Sequence, residues 1–66
     1  MLEEVIFNEN NGVGLITLNR PDRLNALTYP MVQNINQYLN LWEVKEEINC
    51  VIIEGAGDRS FCAGGD

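Results

Sequence analysis

The chain has 66 residues, 45% apolar and 21% charged, with ten acidic residues against four basic ones, a net charge of −6 and no histidine. That length holds one small domain at most and buries only about 60% of the surface exposed when unfolded, so a disulfide, a metal or a partner is needed for robust stability. The composition excludes a disordered tail, a basic face for nucleic acid, a bilayer-spanning run and any Ser-His-Asp or Cys-His nucleophile.

The opening "MLEEVIF" is acidic and starts a strand pattern. It lacks the basic n-region of a secretory signal, which favours the cytoplasm; a mitochondrial matrix protein processed from a precursor is the open alternative. "EVIFNENNGVGLITLNR" reads as a hairpin of strands over 2–8 and 13–19. Asn11-Gly12 between them tolerates the positive φ angles of a type I′ turn. Both strands are more apolar than strict alternation, so both of their faces are expected to be covered.

"NRPDRLNALTYP" is a loop, because Pro21 cannot donate to a ladder and Asp22 and Asn25 favour turns. Arg20 and Arg23 bracket Pro-Asp there. They read either as solvated loop charges or as a phosphate clamp, since guanidinium matches phosphate geometry. Thr28 suits a helix N-cap, and Pro30 falls in the first turn, where its missing N–H is harmless. Met31, Ile35, Tyr38 and Trp42 then form one apolar stripe flanked by Val32 and Leu39. The spacing predicts an amphipathic helix over 28–46, with Trp42 as the largest anchor of its buried face.

"NCVIIEGAG" predicts a buried strand, parallel to an earlier one because a helix intervenes. "DRSFCAGGD" predicts a loop, a brief extended stretch at Ser60–Ala63 and a glycine turn. The class is α/β. One helix cannot cover three apolar strands, so the chain is expected to be the front end of a larger domain.

Gly55-Ala56-Gly57 fails as a dinucleotide fingerprint, because Ser60 stands where the third glycine belongs and no helix pattern begins at 57. No P-loop is present. Cys50 and Cys62 lack metal-ligand spacing and read as two buried free thiols. "AGGD" at 63–66 carries two readings. Gly64 and Gly65 let another group approach the backbone, and Asp66 suits a cap, so the turn is a place for a phosphate, a carboxylate or an oxyanion. The plainer reading is a strand-to-helix turn.

"LITLNRPDRLNALTYPM" followed by "CVIIEGAGDRSFCAGGD" resembles the crotonase, or enoyl-CoA hydratase/isomerase, superfamily. The two hallmarks are "LNRPxxLNAL" and the "FCAGGD" run, and the resemblance covers nearly all of the chain. The double glycine before Asp66, the preceding "FCA" and "LWE" late in the helix most resemble its 3-hydroxyisobutyryl-CoA hydrolase branch. Many hydratases carry another residue where Gly65 stands.

The resemblance implies a spiral of ββα units, of which this chain is an incomplete N-terminal part: hairpin, helix, strand, glycine turn. Residues 1–66 would then belong to a single acyl-CoA-binding catalytic domain. Arg23, Leu24, Asn25 and Ala26 would line the CoA site, with Ala63, Gly64 and Asp66 beside the adenine and pantetheine. Gly65 would give a backbone N–H to the thioester oxygen, the second donor and the catalytic carboxylates coming from later segments. The implied activity is hydrolysis of 3-hydroxyisobutyryl-CoA or a similar short 3-hydroxyacyl-CoA, within valine catabolism. A hydratase or isomerase and a non-catalytic CoA-binding or assembly module are the alternatives. Coenzyme A enters as part of the substrate, with no other cofactor, no metal, no nucleic acid and no membrane. A homotrimer or hexamer is implied by the same resemblance.

Overall fold

A computed structural model of the chain describes residues 3–65. Strands β1 (Val5–Asn10) and β2 (Val13–Leu18) form an antiparallel hairpin, helix α1 (Tyr29–Glu43) follows, and β3 (Cys50–Gly55) pairs parallel to β2. The strand order is β1-β2-β3. Asn11 and Gly12 have φ of 50° and 83°, the paired positive values that a two-residue turn needs to match strand twist. Asn49 donates its N–H to the Gly12 carbonyl at 2.7 Å, tying the entry of β3 to this turn.

One face of the sheet meets the helix. Gly14, Ile16 and Leu18 are buried on it, opposite Glu9, Phe7 and Val5 on β1 and Val51, Ile53 and Gly55 on β3. The core is Val5, Ile16, Leu18, Met31 and Trp42, with Phe7, Leu27, Ile35, Tyr38, Ile48 and Cys62 packed against it. Phe7 stacks on Tyr38 with centroids 3.8 Å apart, and Trp42 meets both rings edge-on. The Trp42 ring lies over Gly14, where an added Cβ would stand 2.5 Å from Cε3. A side chain at that position would therefore have to displace the indole. The indole N–H donates to Glu9 Oε2 at 2.9 Å, and Lys45 Nζ reaches Glu9 Oε1 at 2.7 Å.

Thr28 caps the helix as the sequence predicts. Its hydroxyl accepts the Met31 N–H at 3.3 Å, while its own N–H donates to Met31 Sδ at 3.4 Å. The helix stops at Glu43, short of the predicted 46. There Lys45 N–H bonds the Trp42 carbonyl in a tightened last turn and the Lys45 side chain crosses to Glu9.

Four further expectations are corrected. β3 is not buried: Val51, Ile52 and Ile53 are 37%, 50% and 43% exposed. It is a sheet edge, and α1 packs toward β1. The face away from the helix is likewise only half covered at Ile6, Val13 and Leu15. Among the described residues Ser60–Ala63 joins no ladder, and a parallel bridge pairs Leu27 with Gly65 instead. The cysteines are free, but Cys50, on the edge strand β3, is exposed and Cys62 is half-buried.

Candidate functional site

The two sequence hallmarks fold against each other. The first begins with one turn of 3-10 helix, Pro21–Arg23. The Arg20 carbonyl accepts the Arg23 N–H at 2.9 Å and the Asn25 N–H at 2.8 Å. Leu24 and Asn25 follow in the left-handed region, φ 54° and 58°. Asn tolerates that conformation, whereas Leu holds it only where surrounding bonds over-determine it.

The consequence is that the Asn25 side chain turns inward. Asn25 is 0% exposed. Its Oδ1 accepts the Arg20 N–H at 2.8 Å, and its Nδ2 donates to the carbonyls of Ala56 and Ser60, each at 2.9 Å. Its amide thus bridges the first hallmark to the second. Gly55 permits this approach, since a Cβ there would lie 2.7 Å from Asn25 Nδ2 and 2.9 Å from Phe61 Cα.

Two backbone bonds extend the bridge. Ala63 N–H donates to the Leu24 carbonyl at 2.9 Å, and Leu27 N–H donates to the Gly64 carbonyl at 2.8 Å. The peptide between Gly64 and Gly65 is planar and trans. Its carbonyl faces Leu27, so its N–H, which belongs to Gly65, faces the opposite way. Among the described residues nothing accepts that N–H, and Gly65 is exposed. Gly64 needs glycine because its φ is 105°. Gly65 lies outside the left-handed region, and a Cβ built on it meets nothing within 4 Å. Cys62 Sγ accepts the Gly64 N–H at 3.4 Å and steadies the turn from behind.

Of the two loop arginines, Arg23 is exposed. Arg20 is not its mate in a clamp: its side chain is 14% exposed, pairs with Glu4 through Nε at 3.3 Å and donates from Nη1 to the Ala26 carbonyl at 2.7 Å. Its guanidinium braces the loop from inside. Leu24 and Ala26 are half-buried, while Ala63 and Gly64 are exposed beside Gly65. Asn25 is brought to the same place but presents no surface there. Asp66 lies outside the described residues. Sequence reasoning missed the bracing roles of Arg20 and Cys62. A long cation in an apolar loop and a thiol two residues before a glycine pair carry no periodicity that would flag them. Among the described residues no group of three His, Cys, Asp or Glu side chains could hold a metal ion, and no helix is long and apolar enough to cross a membrane.

Residues 13–66, which contain both hallmarks and the whole bridge between them, match the family described as enoyl-CoA hydratase/isomerase. The chain belongs to this family. It is 51% identical over 63 residues to the mitochondrial 3-hydroxyisobutyryl-CoA hydrolase of Danio rerio, covering 96% of this chain and 16% of that protein. To the same enzyme of Homo sapiens it is 50% identical over 64 residues, covering 97% and 17%. Among solved structures, a carnitinyl-CoA dehydratase from Mycobacterium thermoresistibile superposes with a TM-score of 0.96 at 46% identity, over 98% of this chain and 19% of that one. An enoyl-CoA hydratase from Rhodobacter sphaeroides gives 0.93 at 45%, over 97% and 19%. The chain thus has the crotonase fold of these family members over the segment they share, and it spans less than a fifth of their length.

Proposed function

We propose that this chain is the N-terminal segment of a single catalytic domain that hydrolyses 3-hydroxyisobutyryl-CoA or a similar short 3-hydroxyacyl-CoA. The observation that carries the reading is the unaccepted Gly65 N–H, aimed outward by the Leu27–Gly64 bond. A thioester carbonyl placed on that N–H is polarised in the ground state. The bond strengthens as attack turns the oxygen into an oxyanion. A carboxylate or a carboxylate-activated water, supplied with a second N–H donor by residues beyond 66, attacks the carbonyl carbon. The C–S bond then breaks, and coenzyme A leaves as thiolate and takes a proton. If a carboxylate attacked, water cleaves the resulting anhydride, which releases the acid and restores the enzyme carboxylate.

CoA is held along the bridged hallmarks. Arg23 reaches its phosphates, and Leu24, Ala26, Ala63, Gly64 and Asp66 lie along the adenine and pantetheine. Asn25 lies beneath this strip and offers CoA no surface of its own. The relatives' names include a mitochondrial location, which supports the mitochondrial alternative over the cytoplasm. A trimer or hexamer is the assembly we expect.

A second reading is a hydratase or isomerase on the same scaffold, favoured by the dehydratase and hydratase at 45–46% identity. A third is a CoA-binding module without chemistry. One assay separates them. The full-length protein is given 3-hydroxyisobutyryl-CoA and, separately, a short 2-enoyl-CoA. Release of free thiol supports the hydrolase. Loss of the enoyl absorbance without thiol release makes it a hydratase. CoA binding with neither makes it a module.

A further inference from the structure

We infer that Asn25 is a positioning residue: its side-chain amide fixes the spacing of the two hallmark loops and thereby the direction of the Gly65 N–H. This rests on the proposed role of Gly65. The side chain is 0% exposed, so it acts on the substrate through other groups. Its three bonds join residues far apart in the chain: the Arg20 N–H on one side, and the Ala56 and Ser60 carbonyls on the other, the latter separated from it by 31 and 35 positions.

The geometry converts this bracket into an orientation. The Ala56 and Ser60 carbonyls belong to the loop that leads into the glycine turn. With that loop held, Ala63 N–H reaches the Leu24 carbonyl and Leu27 N–H reaches the Gly64 carbonyl. The second bond rotates the Gly64–Gly65 peptide and sets where the Gly65 N–H points. Without the amide, both half-buried acceptor carbonyls lose their donor, and the loop shifts as they turn to water instead. An N–H that has swung from the developing oxyanion loses most of its differential stabilisation, although CoA still finds its surface.

The test uses the full-length protein with two substitutions. Asn25→Gly keeps the left-handed backbone free of strain and removes all three bonds. Asn25→Asp keeps the acceptor for Arg20 N–H and removes both donors. Three quantities are read: affinity for coenzyme A itself, kcat and KM for 3-hydroxyisobutyryl-CoA, and exchange protection of the Leu27 and Ala63 amides relative to that of Ile16. The expected result is a fall in kcat of roughly 10–100-fold, the cost of an ångström-scale misplacement. CoA affinity and KM should stay within about threefold, and the Leu27 and Ala63 amides should lose protection while Ile16 keeps it. Variants that keep the parent kcat and amide protection overturn the inference. So does equal loss of protection at all three amides, or failure of both variants to fold, since either makes Asn25 a stability residue. If the parent turns over no acyl-CoA, the proposed function fails by itself, and the relative exchange at Leu27 and Ala63 still decides for or against the bracket.

Discussion

Leu27 donates its N–H to the Gly64 carbonyl at 2.8 Å, and this bond between the two loops leaves the Gly65 N–H facing outward. On the proposed role of Gly65, deleting that N–H with Gly65→Pro in the full-length protein should lower kcat by roughly 10²–10³ and change KM little, the loss expected for a single oxyanion donor. Gly65→Ala keeps the donor, and neither its φ nor its surroundings oppose a Cβ. It should stay within about threefold of the parent, since the transition-state bond survives. Steady-state kinetics on folded, CoA-binding variants checks both. A Gly65→Pro enzyme of parental kcat removes the turn from the mechanism.

Gly64 should behave oppositely to Gly65 although space is open at both. Its φ of 105° strains any side chain, so Gly64→Ala should cost about 1–3 kcal/mol or shift the turn. The denaturant midpoint reads the first outcome and kcat the second. If neither moves, the backbone there is not held in the observed conformation.

Local chemistry in the sequence announced most of this architecture. Asn11-Gly12 states its turn, Thr28 its cap and the Met31-to-Trp42 stripe its buried face, because each signal is complete within a few residues. β3 was misjudged because apolar content reports a residue's preference and says nothing of what lies over it. Asn25 was legible as a turn residue and, by resemblance, as part of the loop lining the CoA site. That its amide faces inward depends on two consecutive left-handed residues, and Leu24 gives no warning of the first.

Trp42 and Gly14 should be coupled. Trp42→Ala in the complete protein should cost about 3–5 kcal/mol, the usual range for a buried large aromatic. Gly14→Ala drives a methyl into the indole and should cost about 1–3 kcal/mol as overpacking. In the double variant the two losses should fall short of additive, because the clash leaves with the ring. Denaturant melts of the four proteins measure this. Strict additivity would mean that the ring does not rest on Gly14.

The Glu9 carboxylate titrates below the ordinary value of 4.5, chiefly through the Lys45 side-chain bond and next through the Trp42 N–H. Lys45 titrates above 10.5, chiefly through the same Glu9 bond. A lowered acid contributes stability above its unfolded pKa and loses it as pH falls through the folded value. A raised base contributes below its unfolded pKa and loses it as pH rises through the folded value. The clamp therefore acts between those limits, and salt should weaken it because both partners face solvent. Lys45→Met should move the Glu9 titration upward and shrink the acid-side loss of stability. An NMR titration that leaves Glu9 in place would show that Lys45 does not set it.

The hairpin turn also dictates an order of assembly. β1 and β2 meet across two residues, whereas Thr17 and Glu54, neighbours on β2 and β3, are 37 positions apart. Closing the longer loop costs about 2–3 kcal/mol more in chain entropy, so the hairpin and its aromatic cover condense before β3 arrives. Substitutions at Phe7 should then slow folding, while those at Ile53 should chiefly speed unfolding. Until β3 docks, the loop that receives Asn25 has no anchor, so the Gly65 N–H is aimed only in the final stage of folding.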